Sequence, residues 1–231
     1  MKLSIIIPVY NEEKTIKKII EKVQKVNLGK IKKELIMIND ASKDNTSKII
    51  KSLIKKYKNI TFIEHKINQG KGAAIRTGLK YFTGEIIIIQ DGDLEYNPED
   101  YKRLIKPILE NKTKVVYGSR FLGEIKGFKS FTHFIGNWGL SFITMMLYLR
   151  KITDMETGYK TMTKEVVNSL NLKSKRFDFE PEVTAKIIKK GYKIVEIPIV
   201  YDSRSFKEGK KITVKDGFIA LYYLLKYRFF D

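Results

Sequence analysis

The 231-residue chain contains no cysteine. Disulfides, thiolate nucleophiles and cysteine-held metals are therefore excluded. Its two histidines, His65 and His133, are too few for a histidine-rich metal site. No GxGxxG opens the first helix, and Gly70-Lys71-Gly72 lacks the GxxxxGK(S/T) spacing, so neither a dinucleotide fingerprint nor a P-loop is present. No run of about twenty apolar residues is available to span a bilayer. Met1-Lys2 leads straight into Leu3-Ser4-Ile5-Ile6-Ile7 with no small-residue cleavage site, and Pro8 stops the run. No signal peptide is read there, and a cytoplasmic location is expected. Acids are scarce: 26 Asp+Glu face 45 Lys+Arg, a net charge of +19. Such a surface suits anionic partners such as phosphorylated substrates, lipid headgroups or nucleic acid, or else lysine simply fills solvated helix faces. No tail concentrates the charge, since residues 126–231 carry 20 bases and 11 acids and the rest of the excess lies in residues 1–125.

What is present is an apolar content of 43%, enough for one α/β domain with a full core. Residues 3–9 read as a strand, with Asn11 placed to cap the helix that follows. Ile16, Ile19, Ile20, Val23 and Val26 recur at helical spacing. Further strands read at 35–38, 60–63, 86–89 and 114–117, with helices between them and one from about residue 99 to 109. This alternation predicts a mostly parallel sheet with helices on both faces. It also places Glu12, Asp40, Lys71, Asp91, Asp93 and Arg120 at or just beyond the carboxyl ends of strands, where ligands bind in open α/β sheets.

The stretch 85–98, EIIIIQDGDLEYNP, holds the densest chemistry. Four consecutive isoleucines predict a strand buried on both faces. Past its end come Asp91, Gly92 and Asp93, then Glu95. Two carboxylates separated by a flexible glycine can reach one hard cation that carries a diphosphate. The same residues also suit a plain polar turn.

Taken in order, Pro8-Val9-Tyr10-Asn11-Glu12, Asn39-Asp40-Ala41-Ser42 with Asp44 and Thr46, Gly70-Lys71-Gly72-Ala73, Asp91-Gly92-Asp93 and Gly118-Ser119-Arg120 resemble family 2 glycosyltransferases of the GT-A fold. The run from Thr153 to Lys160 (TDMETGYK), Phe179-Glu180-Pro181-Glu182, Glu196-Ile197-Pro198-Ile199, and Arg204 with Gly209-Lys210-Lys211-Ile212 are similar to the dolichyl-phosphate mannosyltransferase branch, the polyprenyl-phosphate sugar synthases. The resemblance covers nearly the whole chain. It implies one catalytic domain over 1–231, with a nucleotide-sugar half at 1–125, an acceptor half at 126–203, and a basic loop plus amphipathic helix at 204–231. It implies that Pro8, Tyr10, Glu12, Asp40, Lys71 and Asp91 bind the nucleotide, and that Asp91, Asp93 and Glu95 hold Mg²⁺ or Mn²⁺. Glu95 stands where the mannosyltransferase branch often has glutamine. Arg120, with Lys129 through a looser alignment, would meet the acceptor phosphate. Arg204 and Lys210 would close over the diphosphate, and Asp154 would belong to the rim.

The second half supplies further features. Residues 134–149 carry no charge and are too short to span a bilayer, so they suit a core helix, a membrane-interface helix or an oligomer contact. Glu180 or Glu182 is expected to face the site, although acids in a first helical turn are also plain dipole partners. Residues 193–200 read as a strand, 201–213 as a basic loop, and 214–230 as an aromatic helix with basic flanks that lies on a membrane or docks on the core. The implied reaction is inverting transfer of a hexose from GDP-mannose (favoured), UDP-glucose or a UDP-N-acetylhexosamine to a dolichyl or polyprenyl phosphate. An acceptor phosphate is already anionic and attacks without a general base, which suits a chain in which no convincing base stands out. Membrane attachment would then be peripheral, at the inner face, or through a separate anchoring protein. A transferase acting on a glycan or lipid hydroxyl would instead need a base among Asp154, Glu180 and Glu182. A nucleic-acid-binding module would leave Asp91 and Asp93 without a task, and no recognition motif for it stands out.

Overall fold

The computed structural model describes residues 1–126, 131–203 and 214–230. Among them runs a seven-stranded sheet in the order β3-β2-β1-β4-β6-β5-β7. Strands β1 (Lys2–Val9), β2 (Lys32–Asn39), β3 (Ile60–Glu64) and β4 (Ile86–Ile89) are mutually parallel. Strand β6 (Lys160–Thr163) runs antiparallel between β4 and β5 (Val115–Lys126), and β7 (Ile194–Asp202) pairs parallel with β5 at the edge. The sheet is thus mostly parallel, as the alternation predicts.

The four isoleucines of β4 divide two and two. Ile86 and Ile88 enter the cluster under helices α1 (Ile16–Lys25), α2 (Thr46–Lys56) and α4 (Tyr101–Leu109). Ile87 and Ile89 enter the opposite cluster under α3 (Lys71–Gly78), α6 (Lys164–Ser169) and α7 (Phe179–Lys189). Each fully buried isoleucine is worth about 1.5–3 kcal/mol of transfer free energy. This two-sided burial holds the strand rigid just before Asp91.

Several local expectations are corrected. Asn11 does not cap α1: Thr15 is the flanking residue, while Asn11 adopts φ 52° and its Oδ1 accepts from Lys43 N at 2.8 Å. The helix expected from residue 99 begins as a 3-10 turn, Pro98–Asp100, because the Asn97 side chain accepts from Glu99 N. Strand β5 runs well past Tyr117, and β6 was not expected at all.

The uncharged segment is helix α5 (Phe131–Tyr148), and the aromatic C-terminal segment is α8 (Val214–Phe229). Leu140 and Tyr148 of α5 pack with Ala220, Leu224 and Tyr227 of α8 and with Ile188 of α7. The Tyr148 hydroxyl donates to Leu224 O at 2.8 Å. Each helix therefore has a core side, and each also turns large apolar residues outward. Among the described residues, no helix is long and apolar enough to cross a membrane.

Candidate active site

The carboxyl ends of β1, β2 and β4 deliver three polar segments to one edge. After β2, Asp40 is buried and committed to the protein. Its Oδ1 accepts from Gln69 N at 2.9 Å and lies 2.7 Å from His65 Nδ1, and its Oδ2 accepts from Gly70 N at 2.7 Å. Asp40, which the resemblance places beside the base or ribose, shapes the turn into α3 through these bonds. Gly70 at φ 96° completes that turn, and a Cβ there would strike Lys175 O. The first amides of α3 then bond to the segment before α7: Gly72 N donates to Arg176 O at 3.2 Å and Ala73 N to Lys175 O at 2.9 Å.

That docking brings Lys71 between two carboxylates. Its Nζ lies 2.9 Å from Asp91 Oδ1 and 3.0 Å from Glu180 Oε1. Burial opposes the ammonium charge, but Asp91 and then Glu180 outweigh it and hold the pKa well above the ordinary lysine value. Of the two acids expected to face the site, Glu180 does so. Glu182 instead accepts from Lys173 N, Ser174 N and Lys186 Nζ, so its role is to anchor the segment before α7.

Asp91 is fixed by residues that composition and spacing did not single out. Gln90 is fully buried. Its Oε1 accepts from the Tyr101 and Tyr159 hydroxyls at 2.7 and 2.8 Å, and its Nε2 donates to Asp91 O at 3.0 Å. Gly158 N donates to the Tyr96 hydroxyl at 2.7 Å, and a Cβ on Gly158 would collide with Asp91 Oδ2 and crowd the Tyr96 ring. Any side chain at 158 would require the Asp91 carboxylate to shift and the Tyr96 ring to give way. The detectable signal was a lone amide closing an isoleucine run.

Near these groups, Arg120 and Asp154 form a buried fork. Arg120 Nε donates to Asp154 Oδ2 at 2.8 Å, Nη2 to Oδ1 at 2.7 Å, and the Arg120 backbone N to Oδ2 at 2.9 Å. The guanidinium also lies over the Tyr201 ring, 5.2 Å from its centroid. Glu196 holds the other side, accepting from the backbone N of both Thr153 and Asp154. Asp154 is therefore a buried counterion rather than an open rim residue. Deeper still, Lys160 Nζ donates to Met155 O and Thr157 O beneath the Tyr117 ring. Burial lowers its pKa. Burial and the nearby Glu180 raise that of Glu156. Glu156 Oε1 and Glu180 Oε2 are buried with no hydrogen-bond partner.

Of the remaining expected residues, Pro8 lies in β1 opposite Ile38. Tyr10 and Glu12 follow it, and Glu12 Oε2 accepts from Thr15 Oγ1 at 2.8 Å. Asp93 Oδ1 accepts from Glu95 N at 3.0 Å. Glu95 Oε2 accepts from the Tyr201 hydroxyl at 2.8 Å, and Glu95 O accepts from Asp202 N, so side chain and backbone of this residue both bond to β7. No three acidic or histidine side chains among the described residues converge as a metal-holding group. The expected trio Asp91, Asp93 and Glu95 is thus not gathered into one cluster. Lys129, Arg204 and Lys210 lie outside the described residues.

A mostly parallel sheet of this order, with cations and carboxylates collected at its carboxyl edge, is an α/β fold of the GT-A type. Residues 4–170 match glycosyl transferase family 2, and the chain belongs to that family. A UDP-N-acetylglucosamine–dolichyl-phosphate N-acetylglucosaminyltransferase of Methanococcus voltae is 35% identical over 96% of this chain and 94% of its own length. A dolichol-phosphate mannosyltransferase of Pyrococcus furiosus is 28% identical over 91% of this chain and 59% of its own. Among solved structures, glucosyl-3-phosphoglycerate synthase of Mycobacterium tuberculosis with Mn²⁺ and UDP superposes with TM-score 0.75 at 17% identity, over 98% of this chain and 79% of that one. That likeness supports the fold.

Proposed function

We propose that this glycosyltransferase moves a sugar from a nucleoside diphosphate to the phosphate of a dolichol or other polyprenol, with inversion. The observation that carries the acceptor assignment is the commitment of Asp154 and Glu182, two of the three acids that could serve as a base; Glu180 keeps Oε2 without a hydrogen bond and is the one left for the test below. Both Asp154 oxygens bond to Arg120, and both Glu182 oxygens bond to backbone amides or Lys186. A hydroxyl acceptor needs a base to take its proton, whereas a phosphate arrives anionic. The names of relatives matched over more than nine-tenths of this chain support the same reading. They include both a UDP-N-acetylglucosamine and a mannosyl enzyme, so UDP-N-acetylglucosamine is the first donor to test and GDP-mannose the second.

In this reading Asp91 and Asp93 hold Mg²⁺ or Mn²⁺. The donor set fits: both are hard oxygen ligands, and Mg²⁺ commonly takes one or two carboxylates, with substrate phosphates and water completing its shell, rather than an all-protein cage. When bound, such an ion stabilises charge on the departing diphosphate. Lys71 stands beside Asp91 and carries permanent positive charge toward the same phosphates. Arg120, oriented by Asp154, meets the acceptor phosphate, with Lys129, Arg204 and Lys210 as its proposed partners. A lipid acceptor places the enzyme at a membrane surface, bound peripherally on the cytoplasmic side.

The test is product formation from radiolabelled UDP-N-acetylglucosamine, UDP-glucose and GDP-mannose with a short polyprenyl phosphate, Mg²⁺ or Mn²⁺ and detergent, beside an Asp93→Ala control. Label in a lipid-phosphate product from one donor, absent in the control, supports the assignment. Label appearing only on a saccharide hydroxyl, and lost in Glu180→Gln, overturns it.

A further inference from the structure

Helices α5 and α8 pack on one another, yet each presents an apolar stripe to solvent. On α5, Trp138, Phe142 and Met146 follow one another at four-residue spacing and are exposed, Trp138 by 55%. On α8, Phe218, Tyr222 and Phe229, four and then seven residues apart and so on one side of the helix, are also exposed, Phe218 by 71%. The usual helix polarity is partly reversed on α5. Its buried side includes Ser141 and Thr144, whose hydroxyls bond back to Asn137 O and Leu140 O, while its outer side carries the aromatics. From residue 131 to 149 there is no Asp, Glu, Lys or Arg, in a chain that is 31% charged. A helix facing water in this protein would carry lysine there, as α1 and α2 do. Contiguous exposed apolar surface of this kind marks an interaction site.

The charge around the stripes selects the occupant. Arg150 and Lys151 follow α5, and Lys226 and Arg228 sit in the last turns of α8, all four exposed. The protein as a whole carries +19. A second copy would set these cations against their own kind. An anionic bilayer would pair them with headgroups while the aromatic side chains enter the acyl boundary. Since no described helix can cross a membrane, the helices would lie in the interface plane.

We infer that the paired α5 and α8 helices are a docking face for an anionic lipid bilayer, with Trp138, Phe142 and Phe218 inserting and Arg150, Lys151, Lys226 and Arg228 meeting headgroups. This rests on the reading that the acceptor is a membrane lipid, and it supplies the surface by which the site reaches that lipid.

The chain's single tryptophan is Trp138, so its intrinsic fluorescence reports the face directly. The full chain is mixed with vesicles of anionic phospholipid, of zwitterionic phospholipid, and of anionic phospholipid with brominated acyl chains. The expected result is a blue shift on anionic vesicles, weaker on zwitterionic ones, and quenching by the bromines. Phe142→Glu combined with Phe218→Glu should weaken vesicle partition by about tenfold or more. The same variant should keep its transfer activity toward a short, detergent-dispersed acceptor. Sedimentation with vesicles without quenching of Trp138 would mean attachment through another surface and overturns the proposal. So does a Trp138 shift that tracks protein dimerisation in light scattering and ignores vesicles. If the variant does not fold, quenching in the native chain decides alone. Docking without transfer to any polyprenyl phosphate would sink the acceptor assignment and leave the docking face standing; transfer without docking would do the reverse.

Discussion

Replacing Lys71 with methionine removes the only cation within salt-bridge distance of Asp91 and Glu180 among the described residues. The side chain keeps its length and apolar stem, so packing changes little. Two carboxylates then share a largely buried space with no ion-pair partner, and only Lys160, beyond salt-bridge distance, still offsets Glu180. Breaking one side of a buried pair costs about 3–5 kcal/mol. Lys71 and Asp91 side chains remain 18% exposed, which favours the lower end, about 3 kcal/mol. For a chain of this size each kcal/mol moves the midpoint by about 2–4 °C, so Lys71→Met should melt roughly 6–12 °C below the native chain in EDTA at neutral pH. Lys71 titrates well above its usual value, so its contribution is fully present there and is lost only at strongly alkaline pH. Adding Glu180→Gln to the variant removes one of the stranded charges and should recover part of the loss. Mn²⁺ should raise the melting temperature of Lys71→Met more than that of the native chain, because Asp91 no longer has an internal ammonium as partner. Circular dichroism melts with and without Mn²⁺ measure all of this. A variant within about 2 °C of native, with no larger response to Mn²⁺, would refute the countercharge argument.

Three further outcomes are expected. Gly158→Ala forces a methyl group against the Asp91 carboxylate and the Tyr96 ring, and should cost about 1–3 kcal/mol in urea titration together with most of the transfer activity. Native stability and activity would show that the approach is not tight. Asp154→Asn halves the bidentate partner of the buried Arg120 fork. It should destabilise by about 2–4 kcal/mol, measured the same way, and a loss under about 1 kcal/mol would contradict the burial of that pair. Glu156 is raised by burial and by Glu180, so the folded chain holds a proton there that the unfolded chain has released. Its contribution to stability therefore falls as pH rises between about pH 5 and about pH 8. Glu156→Gln should flatten that decline in melting temperature, and parallel pH profiles would count against it.

The fold was legible where burial dictates residue type. A strand covered on both faces has no polar position, so 86–89 could be read as a strand from four isoleucines alone. Strand β6 had no such signature. Its residues, KTMT, contain one apolar side chain, and they become a strand because β4 and β5 present open edges on either side. The same limit applied to β5 beyond Arg120, where the outer residues are mostly exposed and pairing with β7 resumes only after a register shift. In the site, the edge position of Asp91, Asp93, Lys71 and Arg120 followed from topology. Their partners did not. Asp154 reaches Arg120 across 34 residues of sequence, and Glu180 reaches Lys71 only because α3 docks on the segment before α7. Spacing within a motif carries no information on such pairings. For that reason Asp40 and Glu182 could be assigned to the edge but not to the backbone amides they hold.

The charge balance at this edge bears on what must arrive with the substrate. Lys71, Lys160 and Arg120 are the cations gathered there, and Asp91, Glu156, Glu180 and Asp154 the acids. With Asp93 beside them and Glu156 holding its proton, four carboxylates face three cations at the point where a nucleoside diphosphate, itself anionic, is proposed to bind. The net charge of +19 steers such a ligand inward but is screened within about 10 Å in ordinary salt. Local carboxylates then dominate, and a diphosphate alone would be repelled by Asp91 and Asp93. A divalent ion shared between those carboxylates and the phosphates reverses the sign of the interaction. Donor and ion should accordingly bind as a pair, each tightening the other by the same factor. Calorimetric titration of UDP with and without Mg²⁺ reads that factor directly, and equal UDP affinity in EDTA would show that the protein's own cations suffice.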